Sequence, residues 1–267
     1  MIETEVQKRA YKSIYRCTCC SGSDYTDPDG VCEYAANTLR QTIPVSHFGD
    51  IENAKIWLIL TNPKGDRGDG NVGHLVTNYN LTGRENLTDE HVAIIFQHFS
   101  EYFKLPSVHP FFNFYMNLLD YLIVGNQSCT FQNGGICAVD LIKCPTVKDW
   151  QQIVRRNEGK QMWYNCLGKV KNHGPNHFIL QQIERHNPSI LIFAQSTIGL
   201  IGVEYKGNVN GSLQGIASMK LYMRVQSPKR LSIDLGSNAQ LMNYLGRYGN
   251  NVQKLHDTIQ QAISNFF

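Results

Sequence analysis

The run Ile56-Trp57-Leu58-Ile59-Leu60 is apolar without interruption and stops at Thr61-Asn62-Pro63-Lys64-Gly65-Asp66-Arg67-Gly68-Asp69-Gly70. That is how a buried strand reads when it delivers a loop to the end of a parallel sheet, since such strands are covered on both faces. Open α/β sheets keep their sites in loops of this kind. Glycine lets backbone approach a ligand closely and Pro63 fixes the turn after Asn62, while the carboxamide and the carboxylate of Asp66 can touch a base, a sugar or an attacking water. Taken alone, the stretch reads better as an ordinary strand-to-helix loop built from turn-favouring residues, and it is its neighbours that change this.

The remainder of the chain repeats the alternation. Ile136 to Ile142 reads as a second buried strand, Ile190 to Ala194 as a third and Lys220 to Val225 as a fourth. Helices are expected from Thr88 or Asp89 with an apolar face of Val92, Ile95, Phe96, Phe99 and Phe103, and after His109-Pro110 with Phe111, Tyr115, Leu118, Leu119 and Leu122. Further helices are expected over Asn176 to His186, after Gln195, and around Ala239 to Leu245 and Val252 to Phe266. Strands alternating with helices give a parallel sheet with right-handed crossovers. The expected fold is therefore α/β, a three-layer α/β/α arrangement around a four-stranded parallel sheet. With 267 residues and no repeat or dividing linker, residues 1–267 read as one domain.

Charge decides little, since 25 Lys and Arg stand against 22 Asp and Glu for a net +3. That balance permits a nucleic-acid partner without demanding one. No apolar run approaches the roughly 20 residues that span a bilayer, and Met1-Ile2-Glu3-Thr4-Glu5 is too acidic to open a signal peptide, so a soluble, cytoplasmic protein with no membrane partner is expected. Eight cysteines in such a chain point to ligation or burial before disulfides. The Cys17-x-x-Cys20 spacing lets two thiolates from one turn meet a metal or cluster, but spacing does not choose among Cys17, Cys19, Cys20 and Cys32. Asp140 is costly within a buried strand unless it is paired or sits at the exposed carboxyl end. It is a site candidate, against the plainer reading of a strand-end residue satisfied by backbone amides. From Val147 to Gly174 the chain is basic and aromatic, with Arg155, Arg156, Lys160, Trp163, Tyr164, Lys169 and Lys171, which suits either a phosphate backbone or a solvated helical face.

Four separated segments, His47-Phe48-Gly49-Asp50 running into Thr61-Asn62-Pro63, then Pro110-Phe111-Phe112, then Val139-Asp140-Leu141-Ile142-Lys143-Cys144, then Gln226-Ser227-Pro228-Lys229, follow in order a known pattern. The chain resembles the uracil-DNA glycosylase superfamily, closest to its iron-sulfur branch, from Cys17 to about Gly246. The resemblance implies that Asn62, or Asp66, places or activates water beside Pro63, that Phe111 or Phe112 stacks on a flipped base, and that Asp140 reads its edge. It further implies that Ser227 and Lys229 face the leaving group or a phosphate, with Lys229 and Arg230 on DNA, and that Cys17, Cys20, Cys144 and Cys166 hold a 4Fe-4S cluster, or zinc in its place. The cluster's role would be structural.

This chain departs from the family at named positions. Leu60 replaces the loop's glycine and Lys64 the small residue after the proline, Asp140 stands for the base-reading asparagine, and no histidine precedes Pro228. An ionised aspartate only accepts hydrogen bonds, and the missing histidine removes a donor worth several kcal/mol in the transition state. Weak uracil excision is expected, with preference for a base that offers a donor to Asp140. The expected function is a monomeric DNA glycosylase-like protein that flips, and where active excises, a damaged or non-canonical base; the alternative is a non-catalytic nucleic-acid-binding or damage-sensing protein on the same fold.

Overall fold

The computed structural model describes residues 11–16, 44–61, 87–143, 166, 178–195, 197, 208–212, 220–224, 230–238, 241–242, 245 and 251–267. The chain forms two compact units, the first drawn from residues 1–47, 61–100 and 140–181 and the second from 48–60, 101–139 and 182–267.

A six-stranded sheet belongs to the second unit. Its strands are β1 (Ile56–Leu60), β4 (Ile136–Asp140), β5 (Ile190–Phe193), β6 (Asn208–Ser212), β7 (Lys220–Arg224) and β8 (Arg230–Asp234), in spatial order β4-β1-β5-β8-β7-β6. The first four in that order form an all-parallel core, with Trp57 opposite Leu191 and Leu191 opposite Ser232. Every residue of β1, β4 and β5 is buried, which explains their unbroken apolar character. Alternation assigns the two faces. Ile56, Leu58 and Leu60 join a core with Tyr115, Leu118 and Leu119 of a helix α2 (Phe111–Leu119) and with Leu255, Ile259 and Ile263 of α4 (Val252–Phe266). Trp57 points the other way and meets His186, the last residue of α3 (Phe178–His186), with ring centroids 5.9 Å apart. Truncating such a strand residue, Leu58→Ala for instance, removes about 2–5 kcal/mol of stability.

One strand differs from expectation. The segment expected as the fourth parallel strand, Lys220 to Val225, is strand β7 but runs antiparallel to its neighbour, and the fourth parallel strand is β8. Leu231, Ser232, Ile233 and Asp234 alternate apolar and polar, yet all four are buried, because β8 lies inside the sheet between β5 and β7. Leu122, expected in the second helix, instead begins a hairpin of β2 (Leu122–Val124) and β3 (Gln127–Cys129). Gln260 of α4 seals that hairpin on one side, accepting from Ile123 N at 2.7 Å and donating to Ile123 O at 3.1 Å.

In the first unit, helix α1 (Asp89–Ser100) starts with a reciprocal cap: Thr88 Oγ1 accepts from His91 N, and His91 Nδ1 accepts from Thr88 N. Val92, Ile95 and Phe99 are its buried positions, while Phe103 falls in a separate 3-10 turn in the second unit, Tyr102–Lys104. A helical segment at residues 11–15 sets Tyr11 against Phe96 (4.6 Å) and Tyr15 against Phe99 (6.2 Å). Among the described residues, no helix is long and apolar enough to cross a membrane.

Candidate functional site

Asp140 closes β4, whose neighbour in the sheet is β1. The carboxyl end of a parallel strand is where α/β folds place ligands. The residue is 1% exposed, and its Oδ2 has no hydrogen-bond partner among the described residues. Burial raises its pKa to about 7, against the opposing pull of the Lys143 ammonium. Near neutrality the side chain therefore populates the acid form, which has an O–H donor beside a carbonyl acceptor, as well as the all-acceptor carboxylate.

Lys143 is the partner that sequence reasoning passed over. It is 1% exposed and folds back three residues, so that Nζ donates to the Asp140 carbonyl at 2.6 Å and to the Ser46 carbonyl at 3.0 Å. Two further backbone bonds fix this segment, Val45 N to Lys143 O and Ile142 N to Thr61 O. Around Ser46 runs a buried chain of side chains. Tyr15 Oη lies 2.6 Å from Ser46 Oγ, Ser46 Oγ lies 2.7 Å from His47 Nδ1, and His47 Nε2 lies 3.1 Å from Ser100 Oγ. Burial raises the Tyr15 pKa well above its ordinary value, with the Ser46 hydrogen bond opposing, so the phenol keeps its proton throughout the physiological range. Nothing in the sequence marks Lys143 as buried; a lysine directly after a strand normally reads as exposed.

In the second unit the strand ends are also polar. Asp234 closes β8 and accepts from Gly236 N at 2.9 Å, a local turn that Gly236 supports with φ +73°. At the end of β5, Thr197 donates from Oγ1 to Ile59 O at 3.2 Å.

The residues singled out from the sequence divide as follows. Asn62, Pro63, Asp66, Ser227, Lys229, Cys17, Cys20 and Cys144, with Cys19, Cys32 and the basic stretch 147–174 apart from Cys166, lie outside the described residues. Cys166 is helical and buried. Phe112 is a core residue, ringed by Phe48, Tyr102 and Phe103 at 5.3, 5.7 and 5.0 Å. Phe111, at 40% exposure, is the aromatic that the helix start leaves open. The helix begins there because His109 Nδ1 accepts from Phe111 N and His109 O from Phe112 N.

Arg230 is engaged within the fold, donating from Nε to Pro188 O at 2.9 Å and from Nη2 to Asn187 Oδ1 at 2.8 Å. It pairs with Arg224 at the amino end of β8. The fourth parallel strand is followed by Leu235-Gly236-Ser237-Asn238.

For a cluster or metal, no group of three or more His, Cys, Asp or Glu side chains occurs among the described residues. Tyr15 and Lys143 both hydrogen-bond to Ser46, while Cys17, Cys20 and Cys144 lie outside the described residues. Neither models of known protein families nor curated proteins match this chain.

Proposed function

We propose that the chain is a cytoplasmic DNA glycosylase-like protein of the uracil-DNA glycosylase type, which receives a flipped nucleotide at the carboxyl end of β4 and reads its base with Asp140. The observation that carries this reading is a buried carboxyl, one oxygen of which has no partner among the described residues, at the end of a parallel strand, a costly arrangement in a fold unless a ligand completes it. Flipping is required because a base within the duplex hides both its edge and its glycosidic carbon. On this reading Asn62 or Asp66 positions water. Cys17, Cys20, Cys144 and Cys166 would hold a 4Fe-4S cluster or a zinc ion, which braces the loops that carry them.

Release of free base from duplexes that contain uracil, hypoxanthine, xanthine or only normal bases tests the proposal. Release that Asn62→Ala abolishes while binding persists supports it. Tight binding without release from any duplex would favour the non-catalytic reading, and neither binding nor release would end both.

A further inference from the structure

The geometry points to a ligand contact within the second unit, separate from Asp140: an elbow at the carboxyl end of β5 displays Gln195, whose carboxamide takes a heterocycle edge with an N–H beside a carbonyl. Strand order comes first. In the spatial order β4-β1-β5-β8 the chain passes from β1 to β4 on one side and then to β5 on the other. The order therefore reverses between β1 and β5, and open α/β sheets take ligands outside the carboxyl ends of their strands at such a point.

The turn that ends β5 stands there. Ala194 N donates to Ile59 O at 3.0 Å, and Thr197 N donates back to Ala194 O at 3.0 Å, which closes a four-residue turn. Thr197 is fully buried and its Oγ1 donates to the same Ile59 carbonyl at 3.2 Å, so the turn is pinned to β1 at both ends. Gln195 is its second residue and has φ +58°. Positive φ at that position calls for Gly, Asn or Asp, and a glutamine held there is strained. Strain of this kind persists where the surroundings impose it, and it gathers at ligand sites. Among the described residues, Tyr121 and Asn187 are the other non-glycine residues with positive φ. Asn187 is of a type that tolerates the conformation and follows the last residue of α3, and Tyr121 directly precedes β2. Gln195 is the one at the tip of a parallel strand, and it is partly exposed directly after the buried run Ile190 to Ala194.

A carboxamide sets an N–H donor beside a carbonyl acceptor and carries no charge. It therefore matches, with two hydrogen bonds, a ring edge on which a donor adjoins an acceptor, as on hypoxanthine, and has no charge with which to favour a phosphate.

Full-length 15N-labelled protein tests the inference in two steps. In urea denaturation the midpoint of Gln195→Gly should lie above that of Gln195→Ala, because both variants lose the carboxamide and only glycine relieves the positive φ. A midpoint for the glycine variant at or below that of the alanine variant overturns the inference. Inosine, which carries such an edge, and ribose 5-phosphate, which lacks it, are then titrated against the side-chain amide signal of Gln195 and the backbone amide signal of Thr197. Inosine alone should shift both, and Gln195→Ala should weaken its binding, read at Thr197, about tenfold. Equal shifts with ribose 5-phosphate, no shift with inosine, or an affinity that Gln195→Ala leaves unchanged would each overturn the inference. The outcome is separable from the base-excision reading: inosine shifts in a protein that binds no duplex would end that reading and sustain this site, and duplex binding without inosine shifts would do the reverse.

Discussion

Replacing Asp140 by asparagine keeps the shape of the side chain and removes its titration, so the effect of the change is to expose how much a buried carboxylate costs this fold. The folded carboxyl holds its proton up to about pH 7, whereas an unfolded chain releases it near 3.8. Between those values the folded state binds more protons than the unfolded one, and stability falls as pH rises. Below the lower value both states are protonated and there is no penalty. Above the upper value both are ionised and the penalty is complete. About 3 pH units at 1.36 kcal/mol each give roughly 4 kcal/mol as an upper limit. It is a limit because the variant also deprives the Lys143 ammonium of its neighbouring charge. Urea denaturation of both proteins at pH 4, 6 and 8 reads the difference. Asp140→Asn should be close to neutral at pH 4 and increasingly stabilising towards pH 8. A difference that stays the same at all three values, or grows as pH falls, would refute the account of Asp140.

Other perturbations separate further parts of the structure. Burial, aided by Arg185 and opposed by Asp50, lowers the His186 pKa to about 4. Its neutral ring thus supports the fold above the ordinary histidine value of 6.5, and that support is lost as pH falls towards 4; His186→Gln should flatten this acid limb in thermal melts. Arg230→Ala should cost about 1–3 kcal/mol through its lost bonds to Pro188 and Asn187, and leave the salt dependence of DNA binding unchanged. Gly135→Ala would bring a Cβ to 2.7 Å from both Cα and Cβ of Cys129, and should destabilise by about 1–3 kcal/mol in the same denaturation assay. Protein purified without oxygen should be brown, and Cys144→Ala should be colourless; colourless unaltered protein with stoichiometric zinc would replace the cluster by a zinc ion.

The parallel core was legible where burial on both faces forces an unbroken apolar run, as in β1, β4 and β5. β8 escaped notice because Ser232 and Asp234 interrupt it, and period-two alternation of Leu231, Ile233 and Leu235 was its one available signal. Strand direction cannot be read from composition, so β7 was found as a strand and placed wrongly as parallel. The three-residue strands β2 and β3 are too short for any periodicity. Asp140 stood out because a carboxylate in an apolar run is expensive. Lys143 did not, since only tertiary structure reveals carbonyls converging on its ammonium.

The side-chain amide of Gln260 bears on how this molecule behaves among its own copies. A two-stranded ribbon presents backbone N–H and C=O groups along its outer edges, and an exposed apolar strand there invites another chain to add itself. Ile123 is half exposed in such a strand, but both of its backbone groups are held by one glutamine, which takes the place of a neighbouring peptide unit. Gln260 thus acts as a gatekeeper against edge-to-edge assembly at Ile123. Its replacement by alanine would leave the adhesive edge bare, so the first sign of its loss would be concentration-dependent association at temperatures where the fold itself is intact.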